Sequence, residues 1–230
     1  MWCFQETLIR KIKVTIADLT HQRKTTKAFD PQAKLSETQV KAVQDLLRMS
    51  PSSTNAQPWH FFIASSESGK KQIAAGATNA FVYNEAKIMN ASHVVVMCAR
   101  TRLDETYLQQ VLDQESADGR LATEEARTNQ QKVRQGYVTM HENSANGVVG
   151  WATRQVYIAL GFLLLGSAAL DIDACPIEGF DCAAVNKALG LEAQGLTSVV
   201  LVALGRKSDQ DFNAALPKSR LPAASVITTL

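Results

Sequence analysis

Two uninterrupted apolar runs, Val94-Val95-Val96-Met97-Cys98 and Thr197-Ser198-Val199-Val200-Leu201-Val202-Ala203-Leu204, constrain the fold most tightly. They are rich in β-branched residues and show no polar alternation, as expected of strands covered on both faces. Helices must therefore flank the sheet they belong to, and the sequence offers several. Ser36-Glu37-Thr38-Gln39 matches a capping box, and Val40, Val43, Leu46 and Leu47 recur at helical spacing up to a stop at Ser50-Pro51. Segments near Leu103 to Gln114 and Glu124 to His141 read as helices with polar faces, and a strand is expected from His60. Val148 to Leu170 is apolar almost all round. Arg154 and Gln155 interrupt it, leaving Val156 to Leu170, which is shorter than the ~20 residues a bilayer crossing needs. It reads as a helix at the centre of a core or a subunit interface. No repeat, low-complexity tract or linker divides the chain, so residues 15–230 are expected to form one domain behind an extension, residues 1–14, expected to be disordered.

Composition narrows the function classes. With 24 basic against 22 acidic side chains, the chain has no excess charge to recruit nucleic acid or an anionic membrane. Small molecules, or a second copy of the chain, are the expected partners. Cys3, Cys98, Cys175 and Cys182 lack the close pairing of a metal or redox site and the density of a secreted scaffold, which suits a reducing cytoplasm. The segment from Met1 to Lys13 has no uninterrupted apolar core and no small-residue cleavage site, so it does not read as a secretory signal. His21, His60, His93 and His141 show no metal-ligand spacing, and no metal is expected. Ser52, Ser53, His60 and Asp30 could be imagined as a hydrolase triad, but no GxSxG elbow presents the serine. Neither GxGxxG nor a Walker A loop is present, so any nucleotide must be held by side chains.

Two places can do that. Arg23, Thr25 and Lys27 share one side of an extended segment, as do Lys218 and Arg220, and each set offers charge-assisted donors suited to a phosphate. The run Pro51-Ser52-Ser53-Thr54-Asn55-Ala56-Gln57-Pro58-Trp59-His60-Phe61 places hydroxyls and amides between two prolines, in front of a strand, where they can be held against a planar ligand. The bland readings are solvated surface charges and an ordinary turn.

The Pro51 to Phe61 run resembles the Pro-Ser-Ser-x-Asn-x-Gln-Pro-Trp signature of the oxygen-insensitive, flavin-dependent nitroreductases and their flavin-reductase relatives. Arg23 to Asp30, Asn84-Glu85-Ala86-Lys87, Ala91 to Val96, Pro176-Ile177-Glu178-Gly179-Phe180-Asp181 and Leu216 to Pro222 resemble the enterobacterial group of that family, in the family's order. The similarity runs from about Thr15 to the C-terminus. It implies an α+β fold with a central mixed β-sheet between helical layers, an intertwined homodimer, FMN as cofactor and NADH or NADPH as electron donor. It implies that Arg23, Thr25, Lys218 and Arg220 hold the FMN phosphate, with Lys24 beside them. Lys27 and Lys87 would lie at the pyrimidine edge of the flavin, where positive charge favours hydride uptake. Asn84 would read the N3 and O4 edge, and the Glu178 and Gly179 backbone, following Pro176, would stand beside N5. Gln155 belongs to the same implied set. Ser52, Ser53 and Asn55 would come from the partner subunit, and Thr54, Tyr83 and Tyr137 would border the substrate pocket.

The resemblance implies two-electron reduction of nitroaromatics, nitrofurans and quinones by a ping-pong route. The same fold could serve instead as a flavin or dihydropteridine reductase, or as a non-catalytic flavin carrier. Lys24 stands where close relatives often carry His, Thr25 where they carry Ser, and Tyr83 and Tyr137 where they carry Phe. Arg120 is the one weak candidate for a nicotinamide-nucleotide contact. Because related chains begin near Val14, a native start there is expected.

Overall fold

The computed structural model describes residues 15–230. The extension, and with it the expected start at Val14, lies outside the described residues. Helix α1 (Ile16–Gln22) opens the chain on a Thr15 capping box, and α2 (Glu37–Arg48) starts at the expected Ser36–Gln39 box. Strand β1 (Trp59–Ala64) follows the proline-bounded loop. Helices α3 (Glu67–Ala74) and α4 (Glu85–Asn90) then lead into β2 (His93–Arg100). After it come α5 (Glu105–Ala117), α6 (Glu124–Glu142) and α7 (Gly147–Ala169). Strand β3 (Asp173–Ile177), α8 (Cys182–Leu189), β4 (Leu196–Gly205) and the short α9 (Phe212–Ala215) complete the elements.

The sheet order is β1-β2-β4-β3. Parity along the two apolar strands divides the core as the sequence pattern requires. Val95, Met97, Val200, Val202 and Leu204 pack with Val43, Leu47, Val156 and Leu163 on one face. Val94, Val96, Cys98, Leu201 and Ala203 pack with Ile73, Ile88 and Val185 on the other. Both faces are thus covered by helices, and each fully buried Val or Leu contributes ~1.5–3 kcal/mol of transfer free energy. The α+β class is as expected, but the sheet is more uniform than the mixed one anticipated. Among the described residues all four strands pair antiparallel, and parallel pairing is confined to a bridge between Thr25 and Ala174.

Helix α7 is 23 residues long and by length and composition could cross a membrane. It serves instead as a core helix, burying Ala152, Val156, Ala159 and Leu163 against α2 and the sheet, and Trp151 against Leu103, Leu108 and Val138. Its outer side leaves Tyr157, Ile158 and Phe162 exposed by 39, 44 and 47%.

Register sets the two corners that matter. The Arg100 N–H donates to the carbonyl of Pro58 at the outer end of edge strand β1. Thr25 bridges Ala174 on the opposite edge strand β3, whose partner Leu204 faces His93 at the other end of β2. The proline-bounded loop and the basic segment therefore meet the sheet at diagonally opposed corners.

Candidate functional site

At the β3 corner the two basic clusters come together, Arg23 and Lys218 being 195 residues apart in sequence. Arg23, Lys24, Thr25, Lys218 and Arg220 line one pocket of about 270 Å³ with Asn213 and Ser219. The pocket is built by backbone carbonyls capturing ammonium groups. Lys218 Nζ donates to the carbonyl of Arg23 at 2.6 Å and to that of Thr20, and Lys24 Nζ donates to the carbonyls of Ala214 and Leu216 at 2.5 and 2.7 Å. Asn213 Nδ2 donates to the carbonyl of Thr25 at 2.7 Å, closing the wall. Lys24 is thus a latch between the two segments as well as a nearby charge.

The crowding of cations leaves a mark. Burial, then the Arg220 charge, holds the Arg23 guanidinium below its usual pKa, and Arg23 Nη1 is buried with no hydrogen-bond partner among the described residues. Partial burial followed by Arg23, Arg220 and Lys24 likewise lowers Lys218. An unpartnered buried guanidinium nitrogen beside two further cations is what a phosphate would satisfy.

Next to the cradle lies a second polar group. Thr26 N donates to the carbonyl of Ala174 and Lys27 N to Asp211 Oδ1, bringing Lys27 to the edge of β3. Burial, and less strongly the Lys27 charge, lowers the Lys87 pKa, while Cys175 opposes them. Buried Asn84 ties this group together: its Nδ2 donates to the carbonyl of Gly179 at 2.8 Å, and its Oδ1 accepts from Lys87 Nζ at 2.7 Å. One amide N–H of Asn84 remains available. Past Pro176 in β3, the N–H groups of Glu178 and Gly179 donate to no backbone group among the described residues. Glycine at 179 leaves room for this arrangement, since a Cβ there would stand 2.7 Å from the Tyr83 hydroxyl and 3.2 Å from Asn84 Nδ2. Tyr83 itself is 62% exposed, and Lys87 Nζ lies 4.8 Å from its ring centroid. Glu178 accepts a hydrogen bond from Tyr157, whose phenol is pushed up to about 12 by burial and then by that carboxylate.

The other corner holds the proline-bounded loop in an unusual backbone. Thr54, Asn55 and Gln57 all have positive φ, at 50, 51 and 46°. None is glycine, and such residues cost of order 1–3 kcal/mol each unless the surroundings over-determine them. The surroundings do. Gln155 Oε1 accepts from Ser53 N at 2.9 Å, Ser52 Oγ accepts from Gln57 N at 2.9 Å, and the Tyr107 hydroxyl donates to the carbonyl of Gln57 at 2.6 Å. Below them lies a buried ion pair in which Arg134 Nη2 meets Glu115 Oε2 at 2.6 Å, with 1 and 4% of the side chains exposed. Arg134 Nε donates to the carbonyl of Thr54 at 3.1 Å, and Asn55 Nδ2 donates to Glu115 Oε1 at 2.8 Å.

The site residues expected from the sequence therefore fall into two groups. Arg23, Lys24, Thr25, Lys27, Tyr83, Asn84, Lys87, Pro176, Glu178, Gly179, Lys218 and Arg220 gather at one corner. Ser52, Ser53, Thr54, Asn55 and Gln155 gather at the other, joined by Tyr137 one turn along α6 from Arg134. Arg120 is exposed beyond α5 and forms no salt bridge among the described residues. Glu115, Arg134, Tyr107 and Tyr157 were not expected to take part. In sequence the charged pair looks like two more polar residues on amphipathic helices.

A cationic cradle beside a polar, backbone-rich shelf, on an α+β scaffold, has the donor set that an anionic planar cofactor would require. The nitroreductase family model matches residues 20–206, and the chain belongs to the nitroreductase family. It is 47% identical over 93% of its length to the oxygen-insensitive NAD(P)H nitroreductase of Salmonella typhimurium, covering 98% of that protein. It is 31% identical to the major NAD(P)H-flavin oxidoreductase of Aliivibrio fischeri, over 90% of this chain and 95% of that one. A crystal structure from Exiguobacterium sibiricum, solved in complex with FMN, matches with a TM-score of 0.78 at 24% identity, covering 95% of this chain and 98% of that one.

Proposed function

We propose that this chain is an FMN-dependent NAD(P)H oxidoreductase that reduces nitroaromatics, nitrofurans and quinones by two-electron transfer. The observation that carries the reading is the Arg23, Lys218 and Arg220 cradle, whose buried Arg23 Nη1 lacks a partner among the described residues, set against the Asn84–Lys87–Gly179 group. Bound FMN supplies reversible hydride acceptance. The chain supplies the rest. Arg23, Lys218 and Arg220, with the Thr25 hydroxyl, hold the phosphate; Lys27 and Lys87 place positive charge at the pyrimidine edge; Asn84 offers its remaining N–H to the ring; and the Glu178 and Gly179 N–H groups face its central edge. Tyr83, exposed beside Gly179, borders an open space in which donor and acceptor take turns. NADH or NADPH serves as donor, with Arg120 the one weak candidate for a contact to it.

Ser52, Ser53, Thr54, Asn55 and Tyr137 complete the site from a second copy of the chain, because sheet register keeps them at the far corner of their own. The exposed Tyr157, Ile158 and Phe162 on α7 supply apolar surface for such a homodimer. The thiols of Cys98, Cys175 and Cys182 form no disulfide among the described residues, which suits a reducing cytoplasm.

The test is one cuvette. Purified protein should show flavin absorbance that bleaches with anaerobic NADPH and returns on adding a nitrofuran. A colourless protein that also fails to bind added FMN would sink the reading. The Aliivibrio relative's name favours a second reading, reduction of free flavin on the same site, and the family resemblance alone adds a dihydropteridine as acceptor. Turnover of FMN, quinonoid dihydropterin and nitrofuran under identical conditions separates the two.

A further inference from the structure

The loop from Ser52 to Gln57 combines two features that cost stability. Three non-glycine residues sit in the left-handed region, and the ion pair beneath them is almost wholly withdrawn from water. Buried ion pairs are seldom retained for stability, since apolar residues of like volume do as well or better. Strained backbone persists where geometry matters to function. Here the two features are wired to each other. The Arg134 fork spends Nε on the Thr54 carbonyl and Nη2 on Glu115, while Glu115 spends its second oxygen on Asn55 Nδ2. One charged pair thus fixes both the backbone and a side chain at two of the three strained positions.

We propose that Arg134 and Glu115 are positioning residues, whose ion pair presets the Ser52–Gln57 loop and thereby the flavin affinity of the neighbouring subunit's site. This rests on the reading that the loop completes an FMN site. The pair lies at the corner opposite its own subunit's cradle and bonds the loop directly through Thr54 and Asn55. An unset loop would have to be ordered by each arriving ligand, which raises the dissociation constant without removing a single direct contact. Lys at position 134 keeps the charge but cannot bridge two acceptors as the planar fork does.

The experiment replaces the pair by apolar residues of similar size, E115L/R134M, in the full-length protein. We expect a melting temperature equal to or above the parent's and the same oligomeric state. Flavin fluorescence titration should show FMN binding at least tenfold weaker than the parent. In the FMN-free protein, amide exchange of Ser53, Asn55, Ala56 and Gln57 should become faster than in the parent, a readout independent of turnover. At saturating FMN, the acceptor KM should rise more than kcat falls. A folded E115L/R134M protein with parental FMN affinity and parental loop exchange overturns the proposal while leaving the flavin reading intact. A parent that binds no FMN removes both. Should E115L/R134M not fold, R134K carries the same comparison, with a smaller loss of affinity and the same faster loop exchange expected; parental values for both overturn it.

Discussion

Lys24 Nζ sits 2.7 Å from the carbonyl oxygen of Leu216, so a residue near the start of the described chain holds the segment that delivers Lys218 and Arg220. Its second bond, to the Ala214 carbonyl, makes the hold bidentate. The cradle is therefore a closed structure, and its two kinds of cation should respond differently to removal.

Arg23→Ala should weaken FMN binding by roughly 10- to 150-fold, since a charge-assisted hydrogen bond contributes ~1.5–3 kcal/mol and each 1.4 kcal/mol is a factor of ten. Lys24→Ala removes the latch and one nearby charge but no expected direct contact to the phosphate, so a smaller loss of roughly two- to tenfold is expected, about 0.5–1.5 kcal/mol of positioning. Raised ionic strength should weaken parental binding more than that of Arg23→Ala. Titration by flavin fluorescence measures all three, and equal losses for the two substitutions would contradict the latch.

Much of this corner was readable in advance because its chemistry is written in residue type. Clustered cations, a capping box at Ser36 and two apolar strands each announce themselves locally. Strand β3 does not, because it is five residues long and contains Pro176, which an edge strand tolerates and a central one would not. Helices α3 and α8, eight residues each, are equally too short to show a period. The ion pair of Arg134 and Glu115 is invisible for another reason. Each occupies an ordinary polar position on its helix, and only the approach of α5 to α6 under a strained loop turns two surface charges into buried ones.

Gly179→Ala tests the shelf. The added Cβ would meet the Tyr83 hydroxyl at 2.7 Å and Asn84 Nδ2 at 3.2 Å. Tyr83 is exposed and can swing aside, but Asn84 is buried and holds Lys87, so the strain passes to that group. Loss of the Asn84–Gly179 hydrogen bond corresponds to ~0.5–1.5 kcal/mol, and FMN affinity should fall roughly two- to tenfold. Adding Tyr83→Ala should not restore it. Full recovery in the double variant would show that the hydroxyl, and not Asn84, was the obstacle.

His93 provides a pH signature unrelated to turnover. It stands at the start of β2 with Nδ1 3.0 Å from Ser92 Oγ, and burial, then the Lys34 and Lys70 charges, lowers its pKa below the ordinary 6.5. A lowered histidine pKa means the folded state binds fewer protons than the unfolded one between the folded value and 6.5. Stability therefore rises with pH through that window and falls as the solution is acidified below about 6.5. His93→Gln should flatten the decline of melting temperature between pH 7 and 5 (about the window set by a group near 6.5). Parallel curves for parent and variant would remove His93 from the account.

The opposed corners make the strongest demand on the assembly. Between the anchor of the loop at Pro58 and that of the cradle at Thr25, which bridges the outer side of β3, lie four strand spacings and the length of β2 from His93 to Arg100. At ~4.8 Å per strand and ~3.3 Å per residue the diagonal is about 30 Å, a gap that no side chain crosses. If the loop acts on a partner's cradle, defects in the two should complement. Arg23→Ala spoils the cradle and S52A/N55A spoils the loop, so either homodimer should bind FMN poorly. A heterodimer, isolated through two different affinity tags, would carry one doubly defective site and one site with both parts intact. It should bind about half the parent's flavin, with parental affinity, at concentrations where each homodimer binds little. Heterodimers no better than the two homodimers would place loop and cradle in the same subunit's site, against the register of the sheet.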